Sequence, residues 1–319
     1  MSQQPINTSN STPINIIVLG GINMDLVAFS TRFPKPGETV VGSKFLTYAG
    51  GKGANQAVAV ARMGARSAMV GRVGGDLFGP QLLEGLTGAG VDTSGVSVDS
   101  NASSGIAVIS VDETAQNRIT QILGANANCG DPESAKVRSR LTNSSALLLQ
   151  LEVSIDLSLE VALEARSQGV MVVLDPGPVR PVPSELLKLC DVLTPNETEA
   201  QGLVGFPVTG PKSASEAATK LLQSGVGSIV VKLGAQGAYF ADQYTSGMVK
   251  QFDVTAVDSV AAGDAFNGAL AVSLAEGKNL EHAVTIASAA GALSVTKTGA
   301  QDSMPERNLV EGLMQNQRR

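Results

Sequence analysis

The sequence is poor in the residues on which several kinds of chemistry depend. It holds two cysteines, Cys129 and Cys190, far apart and without the spacing of a zinc site or a redox pair. They read as free thiols of a reducing compartment. The one histidine, His282, falls in a helical stretch after Asn279 with no carboxylate partner in a recognisable motif, and reads as a surface helix position rather than an acid–base catalyst. Aromatic residues make up only 3%, which leaves few platforms for stacking a nucleoside base. Positive charge is in deficit: a net charge of -6 and a pI near 5.0 argue against a nucleic-acid binder, although a local basic pocket for phosphate is compatible with both. No segment approaches the roughly 18 consecutive apolar residues of a membrane span. Residues 1–13, rich in Ser, Asn and Gln, carry neither the basic segment nor the apolar stretch of a secretory signal, and read as a disordered tail. A cytoplasmic protein with neither a membrane nor a nucleic acid as partner is expected.

What is present is core-forming material. With 319 residues and 43% hydrophobic content, residues 14–319 can bury one large domain. Short runs of Val, Ile and Leu recur at 14–19, 146–151, 170–174, 192–193 and 229–233, and read as strands buried on both faces. Helical spacing fills segments between them, at 54–63, 77–86, 157–166, 217–222 and 265–275. The alternation implies an α/β fold, a doubly wound, mainly parallel sheet flanked by helices. Two stretches, about 25–48 and 104–123, change to a period near two, as in Ile106, Val108 and Ser110. They predict a small β-sheet lid inserted in the body; the pattern alone fits a plain surface hairpin equally well.

Two glycine-rich segments carry the chemistry. Gly50-Gly51-Lys52-Gly53-Ala54-Asn55-Gln56 opens a helix, and its glycines allow close approach of a ligand to the backbone while Asn55 can both donate to and accept from a sugar hydroxyl. It is not a P-loop, because no Ser or Thr follows Lys52 to hold magnesium, and Gly20-Gly21 lacks the spacing of a dinucleotide fingerprint. The second segment, Asp258 through Gly268, runs a small-residue turn straight into a helix. Unpaired amides and the helix dipole make such a start a site for an anion, and Asp264 stands in the first turn, where it could take a proton from an attacking hydroxyl. Aspartate also commonly caps helices, but a cap does not need the Ala261-Ala262-Gly263 run that precedes it, whereas backbone wrapped around a phosphate does.

These segments, with Gly71 through Gly79, Asp175-Pro176-Gly177-Pro178 and Thr194 through Ala200, resemble the ribokinase-like (PfkB) family of carbohydrate kinases over nearly the whole chain after residue 13. The resemblance implies an α/β body with a β lid, the sugar held between them and ATP along the carboxyl ends of the strands. It implies Asp264 as catalytic base and Ala261, Ala262 and Gly263 as anion hole. Asn23, Asp25, Gly51, Lys52, Asn55 and Glu152, together with Asp264, resemble the sugar contacts. Asn196, Glu199, Lys232, Gly234, Gly237, Gly263 and Ser288 are similar to the nucleotide contacts, Glu199 holding Mg2+ through water; Lys232 stands where the family often has Thr. A potassium ion would be held by Asp258, Val260, Ser294, Lys297, Gly299 and Ser303, several through backbone carbonyls. The implied reaction is transfer of a phosphoryl group from ATP to a small sugar such as ribose, in a homodimer joined through the lid. Other sugars or a nucleoside, and a non-catalytic sugar sensor of the same fold, are the alternatives; Asp25 and Glu152 would repel a sugar acid.

Overall fold

The structure, a computed structural model, describes residues 14–114 and 116–317; the expected tail at 1–13 lies outside them. A nine-stranded sheet forms the body, in the order Ser246–Val249, Ala238–Asp242, Ser228–Lys232, Val192–Leu193, Met171–Leu174, Ala146–Leu149, Asn15–Leu19, Arg66–Gly74, Asp92–Asp99. All neighbours pair in parallel except the first three strands, which are joined antiparallel. Ile16 and Val18 pack into one core and Ile17 and Leu19 into another on the opposite face. That is why this strand reads as an unbroken apolar run rather than an alternating one. The body is the expected doubly wound α/β layer structure.

The period-two segments form a second sheet of four strands, in the order Gly42–Gly50, Asn23–Ser30, Gly105–Val111, Asn117–Ile122. Register places Val27 opposite Ile109 and Ile109 opposite Ile119, so one face presents apolar side chains toward the body. Ala107 and Ile109 are buried, whereas Val108 between them is 40% exposed, as alternation on a pleated strand requires.

Three helices pack together behind the two glycine-rich segments. Lys52–Arg62 lies against Ala262–Ala275, and that helix packs in turn on Leu280–Ser294. The contact between the first two is close because it is made by small residues: a side chain begun at Gly268 would meet the Ala59 Cβ at 2.4 Å. His282 lies in the third helix, its backbone N–H donating to the Asn279 cap. No helix among the described residues is long and apolar enough to cross a membrane.

Candidate active site

The parallel strands deliver their carboxyl ends to one edge of the sheet, the usual place for a ligand in an open α/β fold. Strand Asn15–Leu19 leads into Asn23 and Asp25, Ala146–Leu149 into Glu152, Met171–Leu174 into Asp175, Val192–Leu193 into Asn196, and Ser228–Lys232 ends on Lys232. Between this edge and the lid lies a cleft of about 800 Å3. Of the residues expected to bind, Asn23, Asp25, Gly51, Lys52, Asn55, Glu152, Asn196, Lys232, Gly234, Gly237, Ser288, Val260 and 261–264 line it. Glu199 sits behind Lys52, and Asp258, Ser294, Lys297, Gly299 and Ser303 are outside the lining.

Asp264 is 4% exposed, and each oxygen of its carboxylate is held. Asn55 Nδ2 donates to Oδ2 at 2.9 Å and Gln56 Nε2 donates to Oδ1 at 3.0 Å. The helix therefore starts without any side-chain cap, and Asp264 is not a capping residue. Burial pushes its carboxyl upward, Lys52 pulls it back, and Asp175 pushes it up again, with a net rise. A carboxyl kept more basic than usual yet held by amides suits a proton acceptor.

The turn before it leaves backbone amides free. Ala261, with φ 59, is the one non-glycine residue with positive φ among the described residues, a conformation that costs an alanine about 1–2 kcal/mol. The bend turns the following amides outward: among the described residues the N–H groups of Ala261 and Gly263 have no acceptor, and that of Ala262 makes only a 3.4 Å turn bond to Ser259.

Behind this turn lies an ionic network. Asp175 accepts from Lys52 Nζ at 2.9 Å, Gln56 Nε2 at 3.0 Å and Lys232 Nζ at 3.4 Å. Burial alone would raise its carboxyl, but the two ammonium groups hold it below the usual range. Burial would likewise lower Lys52, yet Asp175, Asp264 and Glu199 keep it well above its ordinary value. Gln56 bridges Asp264 and Asp175, and its own orientation is fixed by Gln150 Nε2 donating to Oε1 at 2.7 Å. Asn196 and Glu199 form a true capping box for helix Glu197–Val204, each side chain bonding the other's backbone N–H. The second Glu199 oxygen faces Lys52 at 3.6 Å.

At the other end of the cleft two carboxylates gather. Glu152 accepts from the Lys52 backbone N–H at 2.7 Å, from Gln121 Nε2 at 2.6 Å and from Asn23 Nδ2 at 3.4 Å. Burial raises Glu152 to about 7, and burial together with the Glu152 charge raises Asp25 to about 7. Gly50 makes room for Asp25, since a Cβ there would meet its carboxylate at 2.4 Å, and Gly21 does the same for Glu152, also at 2.4 Å. Gly51, with φ +90, turns the chain where a Cβ would strike the Gly21 carbonyl at 2.6 Å. Two buried atoms in the cleft lack partners, Asn55 Oδ1 and Ser288 Oγ. An orphaned acceptor on the residue that holds Asp264 and an orphaned hydroxyl lining the cleft are places for ligand groups.

Several participants carry no signature of their own. Gln121 and Asn117 reach the cleft from a lid strand, where only the alternation marks them, and Ala107, Ile109 and Ile119 supply its apolar wall. Gln56 and Asp175 stand inside contiguous sequence motifs, but their roles depend on partners about 60 to 210 positions away.

A family model for pfkB family carbohydrate kinases matches residues 14–307. The chain is 39% identical to a ribokinase of Haemophilus influenzae over 293 residues, covering 92% of this chain and 95% of the relative. Among solved structures, the ribokinase of Thermotoga maritima superposes with a TM-score of 0.84 at 38% identity, over 95% of this chain and all of that one. The ribokinase of Arabidopsis thaliana, solved with ribose and ATP, superposes with a TM-score of 0.87 at 35% identity, over 95% of this chain and 99% of the other.

Proposed function

The chain belongs to the pfkB family of carbohydrate kinases, phosphotransferases that act on an alcohol group, and from that premise we propose that it moves the γ-phosphoryl group of ATP to the 5-hydroxyl of D-ribose. One observation carries the reading: a buried, raised carboxylate, Asp264, borders the same cleft as the unpaired amides of Ala261 and Gly263. The ribose complex of the Arabidopsis relative supports the choice of sugar.

In this reading the sugar lies against Asn23, Asp25, Gly51, Lys52, Asn55 and Glu152. Carboxylates accept from its hydroxyls, and Asn55 Oδ1, otherwise unpaired, accepts one more. Asp264 takes the proton of the 5-hydroxyl as that oxygen attacks the γ-phosphorus. The bond to the bridging oxygen of ADP breaks, so no phosphoenzyme forms. Charge developing on the transferred group meets the amides of Ala261, Ala262 and Gly263, which are already oriented and need no reorganisation. The lid excludes water, which would otherwise compete as acceptor. Asn196, Lys232, Gly234, Gly237 and Ser288 hold the nucleotide.

Glu199 would hold the magnesium that accompanies ATP, through water from the oxygen not used in capping, with Asn196 facing the phosphates; bound there, the ion would neutralise phosphate charge. Potassium fits the loops beside the helix start. Gly299 N–H donates to Asp258 Oδ2 at 3.1 Å and Asp258 N–H donates to the Val295 carbonyl at 3.1 Å, tying the two loops together. The carbonyls of Val260, Lys297 and Gly299 accept no hydrogen bond among the described residues. Ser294 and Ser303 complete the proposed set. A homodimer would cover Phe45, Val108 and Ile122, exposed apolar side chains on the lid face turned away from the cleft.

The test is ADP release over ribose, deoxyribose, fructose and adenosine, with potassium present or replaced by choline, and the product identified by 31P NMR. Ribose 5-phosphate as the fastest product, formed more slowly without potassium, is expected. Preference for another acceptor would reject ribose, and indifference to the ion would reject the cation site.

A further inference from the structure

Lys232 stands where a phosphate-directed cation would be most useful, and its bonding leaves it free to act. Its ammonium ends 3.4 Å from the position a Cβ on Gly263 would occupy, so it lies over the glycine whose N–H has no acceptor. Its side chain is 12% exposed and lines the cleft. An ammonium has three donors, yet among the described residues Lys232 Nζ makes one hydrogen bond, to Asp175 Oδ1 at 3.4 Å. That carboxylate is already engaged more closely by Lys52 and Gln56 on its other oxygen. A largely buried cation with two unused donors, set beside unpaired amides, is matched to an anion that arrives with the substrate.

We infer that Lys232 is a catalytic residue that binds the γ-phosphoryl oxygens of ATP and stabilises their charge during transfer, acting with the Gly263 amide. This deepens the kinase reading and rests on it. It gives Lys232 a role on the transferred group, distinct from that of Gly234 and Gly237 in the adjoining turn. Asp175 then serves as its holder: the long bond keeps the ammonium over Gly263 and yields as the phosphoryl oxygens approach. A threonine at this position would offer one short, neutral hydroxyl, which could neither reach as far nor carry charge, so the lysine adds charge stabilisation to transfer rather than replacing an equivalent contact.

The distinguishing property of a γ-phosphoryl ligand is that ADP lacks its target. Lys232→Met keeps the aliphatic stem without the charge, and Lys232→Gln keeps a donor for Asp175. For both, affinity for ADP and for the β,γ-imido analogue of ATP would be measured by calorimetry, alongside kcat with ribose and the melting temperature without ligand. Expected is a loss of about tenfold in affinity for the imido analogue, a change in ADP affinity below about twofold, and a fall in kcat of about 10²-fold. Equal losses for the two nucleotides would overturn the inference, because Lys232 would then hold the nucleotide as a whole. So would unchanged kcat and analogue affinity in either variant that melts near the parent. Should the parent itself bind both nucleotides yet phosphorylate none of the sugars, the kinase reading fails, and the two binding ratios still decide whether Lys232 meets a γ-phosphoryl group.

Discussion

Single residues in the cleft are arranged for ligand at some expense to the empty protein. Asp25 and Glu152 are buried near each other, and both carboxyls stand at about 7. A carboxyl raised in the folded state keeps a proton that the unfolded chain has released, so its stabilising contribution is present at low pH and is lost as pH rises through about 7. Asp25→Asn should therefore melt higher than the parent at pH 8, by about 2 °C or more, with the difference shrinking toward pH 5. Its ribose affinity should fall, since an amide cannot accept hydroxyls at both of its heavy atoms. Calorimetric melting at the two pH values checks this; a difference between the proteins that does not change with pH would remove the like-charge explanation.

At the scale of elements, the site depends on one close helix–helix contact. Asn55 and Gln56 on helix Lys52–Arg62 hold Asp264 on helix Ala262–Ala275, and the distance between these helices is set by Gly268 against Ala59 and Val60. Gly268→Ala improves helix propensity by up to about 1 kcal/mol, yet the added methyl meets the Ala59 Cβ at 2.4 Å and the Val60 backbone N at 3.0 Å. Overpacking of this kind costs about 1–3 kcal/mol, so a net loss of stability is expected in urea unfolding, together with a lower kcat as Asp264 moves from its amide partners. A more stable variant with parental turnover would mean that the spacing of these helices does not govern the base.

Across the whole molecule, legibility followed the range of the interactions. Strands such as Asn15–Leu19 and Ala146–Leu149 were readable because burial on both faces makes a local apolar run. Arg66–Gly74 was not, since Gly71 and Arg72 interrupt its apolar pattern for reasons of packing against Gly20 and pairing with Glu133. Edge strand Asp92–Asp99 and the antiparallel pair Ala238–Asp242 and Ser246–Val249 lacked a continuous run. In the site, contiguous motifs pointed to Asp264, its glycine turn and Asn55, which line one cleft. Gln56, which holds Asp264, Gln150, which holds Gln56, and Gln121, which holds Glu152, act through partners distant in the chain, so only the fold reveals their roles. Asn55 and Gln56 both hold Asp264, and the most direct measurement is single-turnover transfer from ATP to ribose by Asp264→Asn, with ribose binding followed by calorimetry. Expected is a rate lower by about 10²- to 10⁴-fold with the sugar affinity changed by less than about threefold. A rate near that of the parent, in a variant that still binds ribose, would contradict Asp264 as the base.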